Sequence, residues 1–174
     1  MLEKIGNFIY SRAIGRYRST NLHQIGEGHF ENIRSVGIIF NASDPATYET
    51  ILGLRDRLQQ RDKEVQLLGY FPIDEEDVGP QHFGYFTRKH LNFAQLPKSD
   101  IVKQFIARPF DVLINLDPQH HKPVAYICAA SRALFKIGPG GGNPTHFDLM
   151  IDMKESFDLQ RYIKDIRHTF NLLN

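Results

Sequence analysis

The chain has 174 residues, and 21 lysines and arginines against 20 aspartates and glutamates leave a formal net charge of +1. This length fits one domain, and a charge so close to zero excludes a global field that would recruit nucleic acid or an anionic membrane. The single cysteine, Cys128, excludes an internal disulfide. With no apolar run near the roughly 20 residues of a membrane-spanning helix and no secretory signal pattern, we expect a cytoplasmic protein.

The first segment, residues 1–19, predicts a short amphipathic helix with a basic face. Its apolar residues recur every three or four positions, at Leu2, Ile5, Ile9 and Ala13. Its basic residues include Lys4, Arg12, Arg16 and Arg18. Residues 20–33 indicate a connecting loop, so we divide the chain into residues 1–33, a helix with its loop, and residues 34–174, a single α/β domain.

The main body opens with a strand, a helix and a second strand. The near-continuous apolar run Val36–Phe40 is typical of a strand that is buried on both faces. Asp44 and Pro45 then provide a helix cap and a suitable first helical residue. The run Glu64–Phe71 predicts the second strand. Such a unit predicts parallel strands, and the crossover between them should be right-handed.

The middle of the chain is less regular. Ile73–Gly79 is an acidic loop, and Phe83–Thr87 predicts a short strand despite a glycine within it. Ser99 is expected to cap a helix. Phe110–Leu116 is the clearest strand of the sequence.

The last third continues the alternation of helices and strands. A helix of small and apolar residues starts at Pro123, and Leu134–Ile137 and Phe147–Met153 predict two further strands. Between those strands, Gly138–Gly142 is expected to be a mobile connection. A final helix should be capped by Ser156.

Together these elements predict a three-layer Rossmann-like α/β fold. Its sheet should be mostly parallel, with about five or six strands, and the N-terminal helix should precede it. The link from Ile137 to Phe147 is too short for a helical crossover, which leaves an antiparallel edge strand open. In open α/β sheets, ligands bind beyond the carboxyl ends of the strands. The residues on that rim are 41–44, 71–77, 87–90, 117–121 and 138–146.

Two aspartates follow the two strongest strands and are the candidates for catalysis. Asp44 and Asp117 could face each other and do acid/base work or hold Mg²⁺. Each also has a sufficient structural role, Asp44 as a helix cap and Asp117 as a turn former, and these roles are favoured.

Ligand binding has other candidates on the same rim. Arg88 and Lys89 could receive a phosphate or carboxylate, although a solvated loop is the favoured interpretation. Asn41, Ser43 and His120 complete the predicted ligand-binding residues.

The sequence gives little support for a metal site, a cofactor site or a catalytic nucleophile. His120 and its neighbour His121 lie beside an aspartate, but adjacent histidines on a helix point about 100° apart, and no spaced ligand pair accompanies them. The glycine run contains Pro139 and leads to a strand, unlike a phosphate-binding loop. Cys128 is expected to be buried and inert. We therefore predict no bound metal and no cofactor.

Most of the chain, from about Ser35 onward, resembles a family of short bacterial proteins known only as a domain of unknown function. The segments that carry this resemblance are SVGIIFNASD, EVQLLGYF, FTRKHLNF, FDVLINLD, FKIG and FDLMID. The resemblance implies an α/β fold and no established activity. No functional residue can be carried over from it.

A second resemblance covers about Phe110–Gly138. The stretch FDVLINLDPQHHKPVAYICAASRALFKIG is similar to part of heptosyltransferase-like glycosyltransferases, in which a strand, an alanine-rich helix and another strand follow one another. Those enzymes have two Rossmann-like domains and bind the nucleotide sugar mainly through the second, for which this chain is too short. The resemblance implies a shared half-domain architecture and not transferase activity.

Three functional hypotheses follow. The first is a non-catalytic module that binds a small ligand or a protein partner, which includes a second copy of the chain. The second is an enzyme acting on a phosphorylated or sugar-nucleotide substrate through Arg88, Lys89, Asp44 and Asp117. The third is an adaptor that uses its basic N-terminal helix on a partner, a membrane surface or, less readily, nucleic acid.

Overall fold

A computed structural model describes residues 2–15, 17, 33–79, 81–152 and 156–170. Its strands are β1 (Ser35–Asn41), β2 (Glu64–Phe71), β3 (Gly84–Thr87), β4 (Val112–Leu116), β5 (Phe135–Pro139) and β6 (Leu149–Ile151). Its helices are α1 (Leu2–Ile14), α2 (Pro45–Gln59), α3 (Asp100–Ala107), α4 (Lys122–Ala130) and α5 (Leu159–Phe170).

The strands form one sheet in the order β3-β2-β1-β4-β5-β6, and every pairing is parallel. Along β1, Val36 lies opposite Val65 of β2 and Val112 of β4. Helices lie on both faces of the sheet, so the predicted Rossmann-like α/β fold is confirmed.

The antiparallel edge strand left open by the sequence is not found, because β6 pairs with β5 in parallel, with Ile137 opposite Leu149. The connecting segment 140–148 contains only a 3₁₀ turn at Pro144–His146 in place of a helix. Since β6 is three residues long, the chain has to travel back only about 10 Å before it pairs again. A short strand therefore permits a parallel crossover without a helix.

The core has one layer on each face of the sheet. Alternate residues of β1 face opposite sides: Ile38 and Phe40 pack in the layer that contains α2 and α5, whereas Ile39 packs in the layer with α3 and α4. Both layers exclude solvent around β1 and β4, which explains why the sequence of each of these two strands is a nearly continuous apolar run.

Helix α1 packs on α4 through specific polar contacts. The Tyr10 hydroxyl donates a hydrogen bond to the backbone carbonyl of Lys122 at 2.7 Å, and the Lys122 ammonium donates to Asn7 Oδ1 at 2.6 Å. Arg16 and Arg18 lie outside the described residues, as does the loop 20–32. The division of the chain at residue 33 stays a prediction. Across the described ranges, no helix combines the length and apolarity needed to cross a membrane.

The predicted helix caps have different outcomes. Asp44 caps α2 as expected. Ser99 precedes α3, but its side chain makes no capping hydrogen bond. The prediction for Ser156 is wrong, because α5 begins at Leu159 and the carboxylate of Asp158 accepts the amide hydrogen of Arg161 at 3.1 Å. Asp158 adjoins the first turn, whereas Ser156 lies too far upstream to reach it.

The glycine run was predicted as a mobile connection, and this is wrong for its first two residues. Gly138 and Pro139 belong to β5 and lie opposite Met150 and Ile151 of β6. A β-carbon on Gly138 would come within 2.6 Å of the Phe147 ring, so the glycine permits close packing of the crossover on the sheet. The sixth strand is also shorter than expected, and Met153 lies outside the described residues.

Candidate functional site

The candidate site lies where the strand order of the sheet reverses, between β1 and β4. β1 and β4 are neighbours, but the helices that follow them, α2 and α4, lie on opposite faces. This arrangement opens a crevice at the carboxyl ends of the two strands, which is where open α/β sheets bind ligands. A cleft of about 360 Å³ lies there, lined by Asn41, Ser43, Asp44, Thr47, Leu116, Pro118, Gln119, Phe157 and Leu159. We call it the switch-point cleft.

Asp44 supplies the negative charge of the switch-point cleft. Its carboxylate accepts hydrogen bonds from the Thr47 hydroxyl at 2.8 Å, the Thr47 amide at 3.1 Å and the Ala46 amide at 3.2 Å. The Thr47 hydroxyl is the main cause that lowers the pKa of Asp44, and the two amides add to it. The carboxylate therefore occupies the position at the start of α2 that an anionic ligand would otherwise take.

Two amide side chains of the cleft lining, those of Asn41 and Gln119, lie close to each other. Asn41 Oδ1 accepts a hydrogen bond from the Ser43 amide at 3.0 Å, which orders the turn after β1. Asn41 Nδ2 lies 3.5 Å from Gln119 Oε1. This separation is at the outer limit of a hydrogen bond, so a ligand could replace the contact at little cost.

The remaining wall is apolar. Leu116 ends β4, Phe157 lies just before α5, and Leu159 is the first residue of α5. The Phe157 ring packs against the Tyr162 ring with centroids 5.3 Å apart. The cleft thus offers hydrogen-bonding groups on one side and a hydrophobic surface on the other.

Asp117 lies behind the cleft rather than in its lining. It has no exposed surface, and its carboxylate accepts the amide hydrogens of Gln119 at 3.2 Å and His121 at 2.8 Å. The bond to Gln119 confirms the predicted role of Asp117 in forming a turn. The same carboxylate lies 3.0 Å from Nδ1 of His121, so it also holds the imidazole ring.

His121 makes a second contact, with Tyr70 at the end of β2. The two rings meet edge to face, with centroids 5.3 Å apart and planes at 70°. Tyr70 is stacked on Phe86 at 4.8 Å, and its burial raises the pKa of the phenol despite the nearby positive charge of Arg88. Tyr70 is therefore held in place beside the imidazole, and its phenol stays protonated.

The other predicted ligand-binding residues lie away from the switch-point cleft. Arg88 and Lys89 follow β3, which is two strands, or roughly 10 Å, from β1. Arg88 is 52% exposed and pairs with Asp74 at 3.3 Å. His120 turns its Nε2 to the carbonyl oxygen of Gly140 at 3.0 Å. Of the predicted candidates, only Asn41, Ser43 and Asp44 line the cleft.

A family model described as Family of unknown function (DUF6913) matches residues 7–173. The chain belongs to this family. No curated protein and no solved structure matches the chain. The family match covers the second half of the N-terminal helix and the whole sheet, and it assigns no activity. The likeness to one half-domain of heptosyltransferase-like enzymes stays a prediction, so the chemistry of this family member has to be argued from its own site.

Two other kinds of chemistry can be assessed outside the cleft, a reactive thiol and a metal site. Cys128 is fully buried, as predicted, and its burial raises the pKa of the thiol. In the part of the chain that the structure describes, no three histidine, cysteine, aspartate or glutamate residues gather into a metal-binding group.

Sequence reasoning did not identify six lining residues, namely Thr47, Leu116, Pro118, Gln119, Phe157 and Leu159. Gln119 falls within the predicted rim, so its place in the sequence could have identified it as a site residue. Phe157 and Leu159 could not have been identified in this way, because their approach to β1 and β4 depends on the strand order, which the sequence left undetermined.

Proposed function

We propose that this protein binds a small uncharged ligand that carries hydroxyl or amide groups, such as a sugar or a nucleoside, in the switch-point cleft. The observation that carries the proposal is the presence of carboxylates close to the N-termini of the two helices that border the crevice. Asp44 lies at the start of α2 and Asp117 lies beside the start of α4. The carboxylate of Asp44 thus fills the position at which a phosphate would gain from the dipole of α2, and Asp117 places a second negative charge next to the residue that precedes α4.

The dimensions and lining of the cleft support a small ligand. Its volume of about 360 Å³ is near the lower end of the usual range for small-molecule sites. The amides of Asn41 and Gln119 provide both donors and acceptors, and Phe157 provides an apolar surface. A compound with a ring and several hydroxyl groups matches this combination.

Phosphorylated substrates fit the cleft poorly. Dinucleotide sites use a glycine-rich turn after the first strand so that backbone amides can approach the pyrophosphate. Here the corresponding turn is Asn41–Asp44, which has no glycine and ends in a carboxylate with a lowered pKa. Arg88 and Lys89, the basic pair expected to receive an anion, lie beyond β2 at the end of β3.

The proposal is tested with matched pairs of compounds. The melting temperature of the protein is measured with each sugar, polyol or nucleoside of a panel and with its phosphate ester. Each pair in which either compound raises the melting temperature is then measured by titration calorimetry. We expect the neutral member of at least one pair to bind, and its phosphate ester to bind at least tenfold more weakly because of repulsion by Asp44. A panel in which only phosphate esters bind, or in which no compound binds, contradicts the proposal.

Two variants assign binding to the cleft. Gln119→Ala removes one amide from the lining and should weaken a neutral ligand about tenfold, whereas Gln104→Ala, on the exposed surface of α3, should change nothing. Asp44→Asn removes the charge but keeps the shape of the side chain. It should narrow the difference between a neutral compound and its phosphate ester.

A further inference from the structure

Beside the switch-point cleft, a buried carboxylate holds an imidazole in one orientation. Both oxygens of Asp117 lie close to His121 Nδ1, at 3.0 and 3.1 Å. A carboxylate can only accept hydrogen bonds, so Nδ1 of His121 must carry the hydrogen. In the neutral ring, Nε2 is then the nitrogen with the free lone pair.

The adjacent histidine is held in the opposite sense. His120 Nε2 lies 3.0 Å from the carbonyl oxygen of Gly140, which also only accepts, so in His120 the hydrogen is on Nε2. The backbone of His120 is left-handed, with φ of 51°, a conformation that is uncommon outside glycine but that histidine adopts more often than most residues. The two neighbouring rings thus contact different partners, Gly140 for His120 and Asp117 for His121.

The surroundings of His121 restrict the ring but leave it partly open. Asp117 has no exposed surface, whereas the His121 side chain is 22% exposed. The Tyr70 ring contacts the imidazole edge to face. Within the described residues, both side-chain hydrogen-bonding contacts of the ring are made through Nδ1, which leaves Nε2 for a partner outside the chain.

We propose that His121 is a general base at this rim, with Asp117 as its positioning residue, and that it takes a proton from a hydroxyl group of the ligand. In this step the O–H bond of the ligand breaks, the electron pair stays on oxygen, and a new N–H bond forms at Nε2. The carboxylate of Asp117 stabilises the imidazolium, and the proton leaves Nε2 when the product or water accepts it. This inference rests on the proposed function for the nature of the ligand.

The first test is the tautomer of each ring in the full-length protein without ligand. Long-range ¹H–¹⁵N spectra of the labelled chain should show His121 with the hydrogen on Nδ1 and His120 with the hydrogen on Nε2. In Asp117→Asn, His121 should lose its preference for Nδ1–H, while His120 keeps its own tautomer. A wild-type His121 with the hydrogen on Nε2 overturns the proposal, and that result does not require the variant to fold.

The second test is acylation by diethyl pyrocarbonate, followed by peptide mapping with mass spectrometry. The reagent forms a bond to an unprotonated ring nitrogen and releases ethyl carbonate, so its rate reports access to Nε2. His121 should react at least as fast as exposed His82 and much faster than buried His146. A His121 rate as slow as that of His146 overturns the proposal.

The third test distinguishes the general-base proposal for His121 from the proposed binding function. A neutral compound that binds in the matched-pair panel should protect His121 from acylation several-fold and leave His82 unaffected. If the compound binds the cleft without protecting His121, the general-base proposal fails and the binding function stands. If no compound binds, the binding function fails, and the general base loses the ligand hydroxyl on which the proposal depends, so both proposals fail together.

Discussion

Gly140 and Asp152 lie so close together that a β-carbon on Gly140 would stand 3.0 Å from the Cα of Asp152 and 2.9 Å from its Oδ1. The backbone amide of Gly140 also donates a hydrogen bond to the carbonyl of Ile151 at 2.9 Å. The start of the β5–β6 crossover is therefore pinned against the end of β6. This contact explains why a glycine is needed immediately after β5.

Gly140→Ala should lower the free energy of unfolding by about 1–3 kcal/mol, because the added methyl group meets backbone that cannot move freely. The control is Gly53→Ala in α2, where a β-carbon has no neighbour within 4 Å. Alanine there should raise the stability by about 0.5–1 kcal/mol through its better helix propensity. Urea unfolding of both variants measures the difference, and equal effects would refute the close contact.

Asp111 should make the stability of the protein depend on pH. Its Oδ2 accepts hydrogen bonds from the Arg34 amide, the Ser35 amide and the Ser35 hydroxyl at 2.8, 2.9 and 3.0 Å. Burial alone would raise the pKa of Asp111, but these hydrogen bonds outweigh it and the pKa is lowered. The unfolded chain thus binds the proton more readily than the folded one, so this stabilisation is present above about pH 4 and is lost as the pH falls through the folded value.

Asp111→Asn should therefore flatten the loss of stability in acid, measured by urea unfolding between pH 3 and 7. Asp62→Asn, which removes an exposed carboxylate from the turn after α2, is the control and should keep the wild-type slope. The same acid dependence in wild type and Asp111→Asn would show that this carboxylate does not contribute.

Cys128 should be unreactive in the folded protein. It is fully buried, and burial raises the pKa of the thiol, so the reactive thiolate is scarce at neutral pH. Ellman's reagent should label it only as fast as the protein opens, and urea near the unfolding midpoint should accelerate labelling sharply. Labelling in buffer at the rate of a free thiol would contradict the burial of α4 against the sheet.

Tyr10 should contribute to the attachment of α1. Tyr10→Phe removes the hydroxyl that donates to the Lys122 carbonyl and should lower the free energy of unfolding by about 1 kcal/mol. Tyr48→Phe in α2 is the control, since the Tyr48 hydroxyl makes no hydrogen bond to any described residue. A Tyr10→Phe variant as stable as wild type would mean that this contact does not hold the helix.

The sequence predicted best those elements whose burial or capping chemistry is local. The bounds of β2 were predicted correctly, and β1 extends the predicted run by one residue at each end. Asp44 was identified as a cap because Pro45 and the following apolar spacing leave few alternatives. These features depend on neighbouring residues in the chain.

Strand order and the direction of β6 were beyond the sequence because they depend on long-range packing. The link from Ile137 to Phe147 is too short for a helical crossover, and only the three-residue length of β6 lets it return the chain for parallel pairing without a helix. The candidate site was predicted in part for the same reason. The turn after β1 was recognised, whereas Phe157 approaches it only because α5 packs on the same face of the sheet as α2.

The most direct test of the binding function is a screen of neutral, hydroxyl- and amide-rich fragments against the ¹⁵N-labelled protein, read as chemical-shift changes in the backbone amides. Fragments should perturb Asn41–Thr47, Leu116–Gln119 and the amides of Phe157 and Leu159, which surround the cleft beyond the carboxyl ends of β1 and β4. Perturbations that cluster instead at the opposite end of the sheet, around Lys63 and Asp111, would contradict a ligand site at the switch point.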